Sequence, residues 1–211
     1  RGLGDVYKRQ TLIYGGTMAF VIVTVLCGYM LIHSNFLKKG KTSAAPAAAG
    51  VKSQSTEDII INLRDEVCRT MESATKIYDR TLIAVFKENR KVLKEMVQSS
   101  DKLFEEARDR KYGIMPTLRR LQQCDIDTGH FYVQVVDYLS EVTKALIHIT
   151  RPAYEHINNH HEGLTKEQIV DLMRVNDQVE AIFDKINDML RTKDFSDLDM
   201  VLEMRDRLFE A

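Results

Sequence analysis

Tryptophan is absent from this 211-residue chain, and glycine and proline become rare beyond residue 50. The residues that most often interrupt helices are reduced there to Gly113, Gly129, Gly163, Pro116 and Pro152. The same region is rich in Leu, Glu, Lys, Arg and Met, all of which are good helix formers. This composition predicts an all-α fold.

Cysteine and excess positive charge are also scarce. Three isolated cysteines form no C-x-x-C pair, so we expect reduced thiols rather than a disulfide framework: Cys27, Cys68 and Cys124. The formal net charge is −1, whereas a general nucleic-acid binder needs a basic surface, so we expect no nucleic-acid partner. No nucleophile–base pair, glycine-rich phosphate loop or zinc pattern occurs, and we therefore expect no enzyme.

One stretch near the N-terminus contains no Asp, Glu, Lys or Arg, and we predict a transmembrane helix there, over residues 11–37. About 26 residues at ~1.5 Å each span about 39 Å, enough to cross a hydrocarbon core ~30 Å thick. A signal peptide would be shorter and would carry an A-x-A cleavage site. Three lysines follow directly and, by the positive-inside rule, place the C-terminal side in the cytoplasm: Lys38, Lys39 and Lys41.

The segments on either side of this stretch are not predicted to belong to a folded domain. Residues 1–10, RGLGDVYKRQ, resemble a translated sequencing adapter, with a polar loop as the alternative. Residues 38–56 are small, polar and interrupted by Pro and Gly, which is typical of a cytosolic linker.

Apolar residues at three- and four-residue spacing then predict a series of amphipathic helices. The first covers about 57–87, and the second, after a turn at Lys87–Asn89, is interrupted at Gly113 and Pro116. The third opens at Asp127 or Thr128, is kinked at Pro152, and ends near Gly163 in a left-handed cap. The fourth, about 165–192, opens with the capping box Thr165-x-x-Gln168, and the fifth opens at Ser196.

Part of this pattern occurs twice, because residues 77–106 align without a gap onto residues 182–211. Seven pairs are identical: Ile77/Ile182, Asp79/Asp184, Leu93/Leu198, Asp101/Asp206, Leu103/Leu208, Phe104/Phe209 and Glu105/Glu210. A repeat of this length indicates a duplicated small domain rather than a solenoid. We predict a first three-helix unit over 57–163 and a partial second unit over 164–211, with its third helix beyond Ala211.

Two patterns could bind a divalent metal or iron. His156 and His160 stand at i and i+4 in EHINNHHEG, a spacing that can hold a metal, although polar residues at a fraying helix end produce the same string. Carboxylates also recur at i and i+4, as they do by chance on charged helix faces: Asp101/Glu105, Asp137/Glu141, Asp184/Asp188 and Asp199/Glu203.

The turns KEN and TKD at equivalent places in the repeat resemble the PhoU-like phosphate-signalling fold. The stretch DIDTGHFYVQVVDYLSEVTKALIHITRPAYEHINNHHEGL, which follows a membrane helix, a lysine cluster and a linker, is similar to the C-terminal region of Bacteroidetes-type inorganic phosphate transporters of the PiT family. The resemblance covers about residues 11–211, and it is most specific over residues 125–164.

This resemblance implies a symporter of inorganic phosphate, multi-pass in the bacterial inner (plasma) membrane, with a cytoplasmic PhoU-like regulatory domain. The implied partners are phosphate, a coupling cation, the lipid bilayer, and a second copy or a regulatory protein. The G-A-N-D loops of the family are absent, so no phosphate-binding residue is assigned here. Residues 125–130 also break the metal-binding E/D-x-x-x-D pattern of PhoU proteins. The alternative is a single-span membrane signalling or scaffold protein with a helical cytosolic domain.

Overall fold

The computed structural model describes residues 56–124 and 126–210, and within those ranges it contains six helices and no strand. The helices are α1 (Thr56–Phe86), α2 (Arg90–Tyr112), α3 (Ile114–Cys124), α4 (Ile126–Asn158), α5 (Lys166–Thr192) and α6 (Leu198–Glu210). The prediction of an all-α fold is therefore confirmed for this part of the chain.

The predicted segments over 1–10 and 11–37, and the linker up to residue 55, lie outside the described residues, as do Lys38, Lys39 and Lys41. None of the six described helices is both long enough and apolar enough to cross a membrane.

Helix α1 lies at the centre of the bundle, where it packs against α2, α3, α4 and α5. Its buried side chains recur every three or four residues, as the periodicity predicts, and include Leu63, Val67, Met71, Ala74, Tyr78 and Leu82. They join the buried faces of α4 and α5 in one apolar core. Burial of this stripe is what holds a 31-residue helix in place.

The predicted interruption of the second helix separates α2 from α3. Gly113 ends α2, and its N–H donates to the carbonyl oxygen of Asp109 at 2.9 Å. Pro116 then lies in the first turn of α3, where its missing N–H removes no helical hydrogen bond. Proline is tolerated there but would break a helix that continued through it from α2.

Helix α4 begins just before the predicted caps and continues through Pro152, but it ends earlier than expected. Its last residue is Asn158, and the left-handed residue beyond it is His160, with φ of 52°. The prediction that the helix ends in a left-handed cap near Gly163 is therefore wrong.

The start of α5 confirms the predicted capping box, and the start of α6 differs from the prediction. The Thr165 side chain accepts from the Gln168 N–H at 3.3 Å, and the Gln168 side chain accepts from the Thr165 N–H at 2.9 Å. Helix α6 begins at Leu198 rather than Ser196, since the Ser196 N–H donates to the Asp194 carboxylate at 3.1 Å and residues 194–196 form a turn.

Candidate functional site

The turn between α1 and α2 is a short, hydrogen-bonded motif. The Glu88 N–H donates to the Val85 carbonyl at 3.0 Å, and the Asn89 N–H donates to the Ala84 carbonyl at 2.8 Å. These two bonds form a Schellman motif, with Glu88 in the left-handed position at φ of 49°. The Asn89 side chain then accepts from the Val92 N–H at 3.2 Å and caps α2.

The end of α4 uses the same motif. The His160 N–H donates to the Ile157 carbonyl at 3.2 Å, and the His161 N–H donates to the His156 carbonyl at 3.2 Å. His160 has the left-handed backbone conformation, and the chain departs from the α4 helix there. His156 and His160 therefore do not share a helix face, and that part of the prediction is wrong.

These two helix ends meet at a cavity of about 320 Å³ that is lined by Glu88, Arg90, Ile157, His160 and His161. The Glu88 carboxylate lies against Gly163, where an added Cβ would collide with it. The colliding atoms belong to the far end of the exposed Glu88 side chain, so a larger residue at position 163 would displace that carboxylate. No positive φ is involved at this glycine.

The histidines are arranged differently from the predicted metal pair. The His156 ring stacks on the His161 ring, with centroids 5.5 Å apart and planes 27° apart, while His160 lines the cavity. Across the described ranges, no group of three or more His, Cys, Asp and Glu side chains is placed to hold a metal ion. Some members of the predicted carboxylate pairs form ion pairs with basic side chains, as Asp101 does with Arg151 at 3.0 Å and Asp137 does with Lys111 at 3.0 Å.

A second cluster of polar side chains lies where α1 meets α5, and we did not predict it. The Tyr78 and Phe183 rings meet edge to face there, with centroids 6.2 Å apart and planes 89° apart. The Asp79 carboxyl group on α1 and the Asn176 side chain on α5 are close enough to Glu180 to shift the pKa of its carboxyl group. We call Asp79, Asn176 and Glu180 the junction cluster.

The environment of the junction cluster disfavours negative charge. Burial raises the pKa of Glu180, and contact with Asp79 raises it further, whereas the hydrogen bond from Asn176 opposes the shift. Burial also raises the pKa of Tyr78, with smaller contributions from the nearby carboxylates. Glu180 therefore loses its proton less readily in the folded chain than a free glutamate does.

One signal in the sequence could have revealed this cluster. The buried stripe of α5 runs Leu172, Asn176, Val179 and Phe183, so an amide occupies a position where every neighbour in the series is apolar. A polar residue on a buried stripe marks a group that must find a partner. The presence of Asp79 in the cluster could not be predicted, because it depends on how α1 and α5 pack.

Comparison of the chain with protein-family models, with curated proteins and with solved structures found no match.

Proposed function

We propose that this chain is the last membrane helix and the cytosolic regulatory domain of an inorganic phosphate transporter, and that the domain is a duplicated PhoU-like unit. The supporting observation is the geometry of the two repeated turns. Glu88 and Lys193 are aligned residues of the repeat, and both adopt left-handed backbone conformations, with φ of 49° and 60°. Few non-glycine residues do so, and two aligned ones favour a common origin.

The packing on either side of these turns supports the same proposal. Aligned apolar residues are buried in both copies: Ile77/Ile182, Tyr78/Phe183, Val85/Leu190 and Met96/Val201. In the first copy, α4 closes the α1–α2 pair. The Ser100 hydroxyl hydrogen-bonds to the Thr150 hydroxyl at 2.8 Å in a buried position, and Arg151 pairs with Asp101 beside it. In the second copy, α5 and α6 pack together as α1 and α2 do.

The proposed mechanism is a shift in conformational populations. A helical domain joined to a membrane helix by a short linker changes transport only if it binds one state of the transporter better than the other. The surface of the described bundle carries many opposed charges, as in the Arg191–Glu72 pair at 3.0 Å between α5 and α1. The proposal is that the domain regulates by docking on the transporter.

The test is phosphate uptake by cells that express the complete transporter with and without residues 57 onward. We expect the deletion to change the uptake rate or to abolish its repression by external phosphate. The control replaces residues 57–211 with an unrelated helical domain of similar length, which keeps the membrane helix and the linker. If the deletion leaves both uptake and repression unchanged, the regulatory role is wrong.

A further inference from the structure

The bend between α2 and α3 exposes apolar and basic side chains together. Tyr112, the last residue of α2, is 77% exposed, and Met115, in the first turn of α3, is 50% exposed. Between residues 108 and 120 the sequence has five basic residues and one acidic residue. We call residues 108–120 the α2–α3 bend.

The two kinds of side chain share helix faces on both sides of the bend. Arg108 lies four residues before Tyr112 on α2, and both are exposed. Met115 lies four residues before Arg119 on α3, and both are exposed there too. Each helix therefore presents one apolar side chain and one arginine on the same exposed face.

Ion pairs to two neighbouring helices fix the position of the bend. Arg110 pairs with Glu66 on α1, and Lys111 pairs with Asp137 on α4 at 3.0 Å. With these two partners counted, three carboxylates accompany the five basic side chains, so the bend keeps an excess of positive charge.

The bend lies towards the end of the bundle at which α1 begins. Its Arg110 contacts Glu66, which is ten residues after Thr56, or about 15 Å along α1. The α1–α2 turn lies at the other end of α1. The predicted linker and membrane helix precede Thr56, so the bend is on the side of the bundle from which the chain leads to the predicted membrane helix.

We propose that the α2–α3 bend docks on the surface of a bilayer that contains anionic lipids. Arginine and lysine are attracted to anionic headgroups, and exposed aromatic and apolar side chains enter the interfacial region. An anionic bilayer surface therefore matches both the charge of the bend and its exposed apolar side chains. The surface itself is independent of phosphate transport, and only its nearness to the bilayer rests on the membrane helix of the proposed function.

The test uses tryptophan as a reporter, since the chain contains none. The full 211-residue chain with Tyr112→Trp is reconstituted into phosphatidylcholine vesicles with and without phosphatidylglycerol, and quenching by lipids brominated on their acyl chains is measured. We expect quenching and a blue shift only with phosphatidylglycerol, both reversed by added salt. Val170→Trp, at an apolar position that is 65% exposed near the start of α5, is the matched control and should stay unquenched.

The charge requirement is tested in the Tyr112→Trp chain. Arg108→Gln and Arg119→Gln should each lower the docking equilibrium constant, obtained from the quenched fraction, by about fivefold. Arg90→Gln combined with Arg174→Gln makes the same change of charge as the two bend variants together and should leave the quenching unchanged. All four arginines are exposed, so the fold should persist, as circular dichroism can verify.

The proposal is overturned if the tryptophan of Tyr112→Trp is not quenched with phosphatidylglycerol, or is quenched equally in both kinds of vesicle or equally with that of Val170→Trp. A blue shift that grows with protein concentration and needs no phosphatidylglycerol would also overturn it, because the bend would then contact a second copy of the chain. Flotation of the vesicles in alkaline carbonate tests the membrane helix separately. A chain that is washed off would contradict that helix but not the docking, which quenching by added vesicles still decides.

Discussion

Lys193 adopts a left-handed backbone conformation with φ of 60°, and replacing it with glycine should stabilise the protein. A non-glycine residue in this region costs about 1–2 kcal/mol, since Cβ crowds the following carbonyl oxygen. Glycine removes this cost but loses about 0.5–1 kcal/mol through the greater freedom of the unfolded chain. The side chain of Lys193 is exposed. We therefore expect a net gain of about 0.5–1 kcal/mol, or about 1–4 °C in Tm for a domain of this size.

Thermal unfolding followed by circular dichroism at 222 nm measures this change. Lys193→Ala is the matched control, because it removes the charge and the long side chain but keeps Cβ. We expect no gain from alanine. Equal gains from glycine and alanine, or a loss with glycine, would show that the backbone of Lys193 is not strained as described.

Three further predictions concern the helix ends and the junction of α1 with α5. Phe183→Ala should destabilise the bundle by about 3–5 kcal/mol, measured by urea unfolding, since it leaves a cavity beside the Tyr78 ring. Thr165→Ala should cost about 1 kcal/mol by loss of the cap on the Gln168 N–H, and the same urea titration would show no change if that cap were unimportant. The raised pKa of Glu180 gives stability that is present below its ordinary value of 4.5 and lost as pH rises through the folded-state value. The Tm of the wild-type chain, relative to that of Glu180→Gln, should therefore fall from pH 4 to pH 7, and parallel curves would contradict this.

The helices were predictable because each has a buried stripe with the period of a helix. The buried stripe of α1 can be predicted without knowing which helices pack on it, and the capping box at Thr165 and Gln168 is local to one turn. The interruption at Gly113 also follows from the chemistry of nearby Pro116. These features were found because all their causes lie within a few residues.

The predicted end of α4 differs from the structure because glycine has more than one use in a protein chain. Glycine is the usual left-handed residue after a helix, so Gly163 was the natural choice. In the structure, Gly163 instead allows the Glu88 carboxylate to approach, and His160 takes the left-handed position. Only the packing of the α1–α2 turn on this segment shows that Gly163 leaves room for a neighbouring side chain.

The predicted histidine pair and the junction cluster also show the difference between local sequence signals and tertiary packing. His156 and His160 were selected by their spacing on an assumed helix, and the early end of α4 separates them. The junction cluster depends on the contact between Tyr78 and Phe183, which brings together residues far apart in the chain. The sequence shows Asn176 as a polar residue on the buried stripe of α5, but the proximity of Asp79 to Glu180 requires the tertiary structure.

The most direct test of the transporter proposal is to determine the complete coding sequence on both sides of the region that encodes these 211 residues. The proposal predicts several further membrane spans upstream, with phosphate-binding loops on interrupted helices, and a third helix of the second unit downstream. A single span preceded by an extracellular domain would contradict the proposal and favour a membrane signalling or scaffold protein.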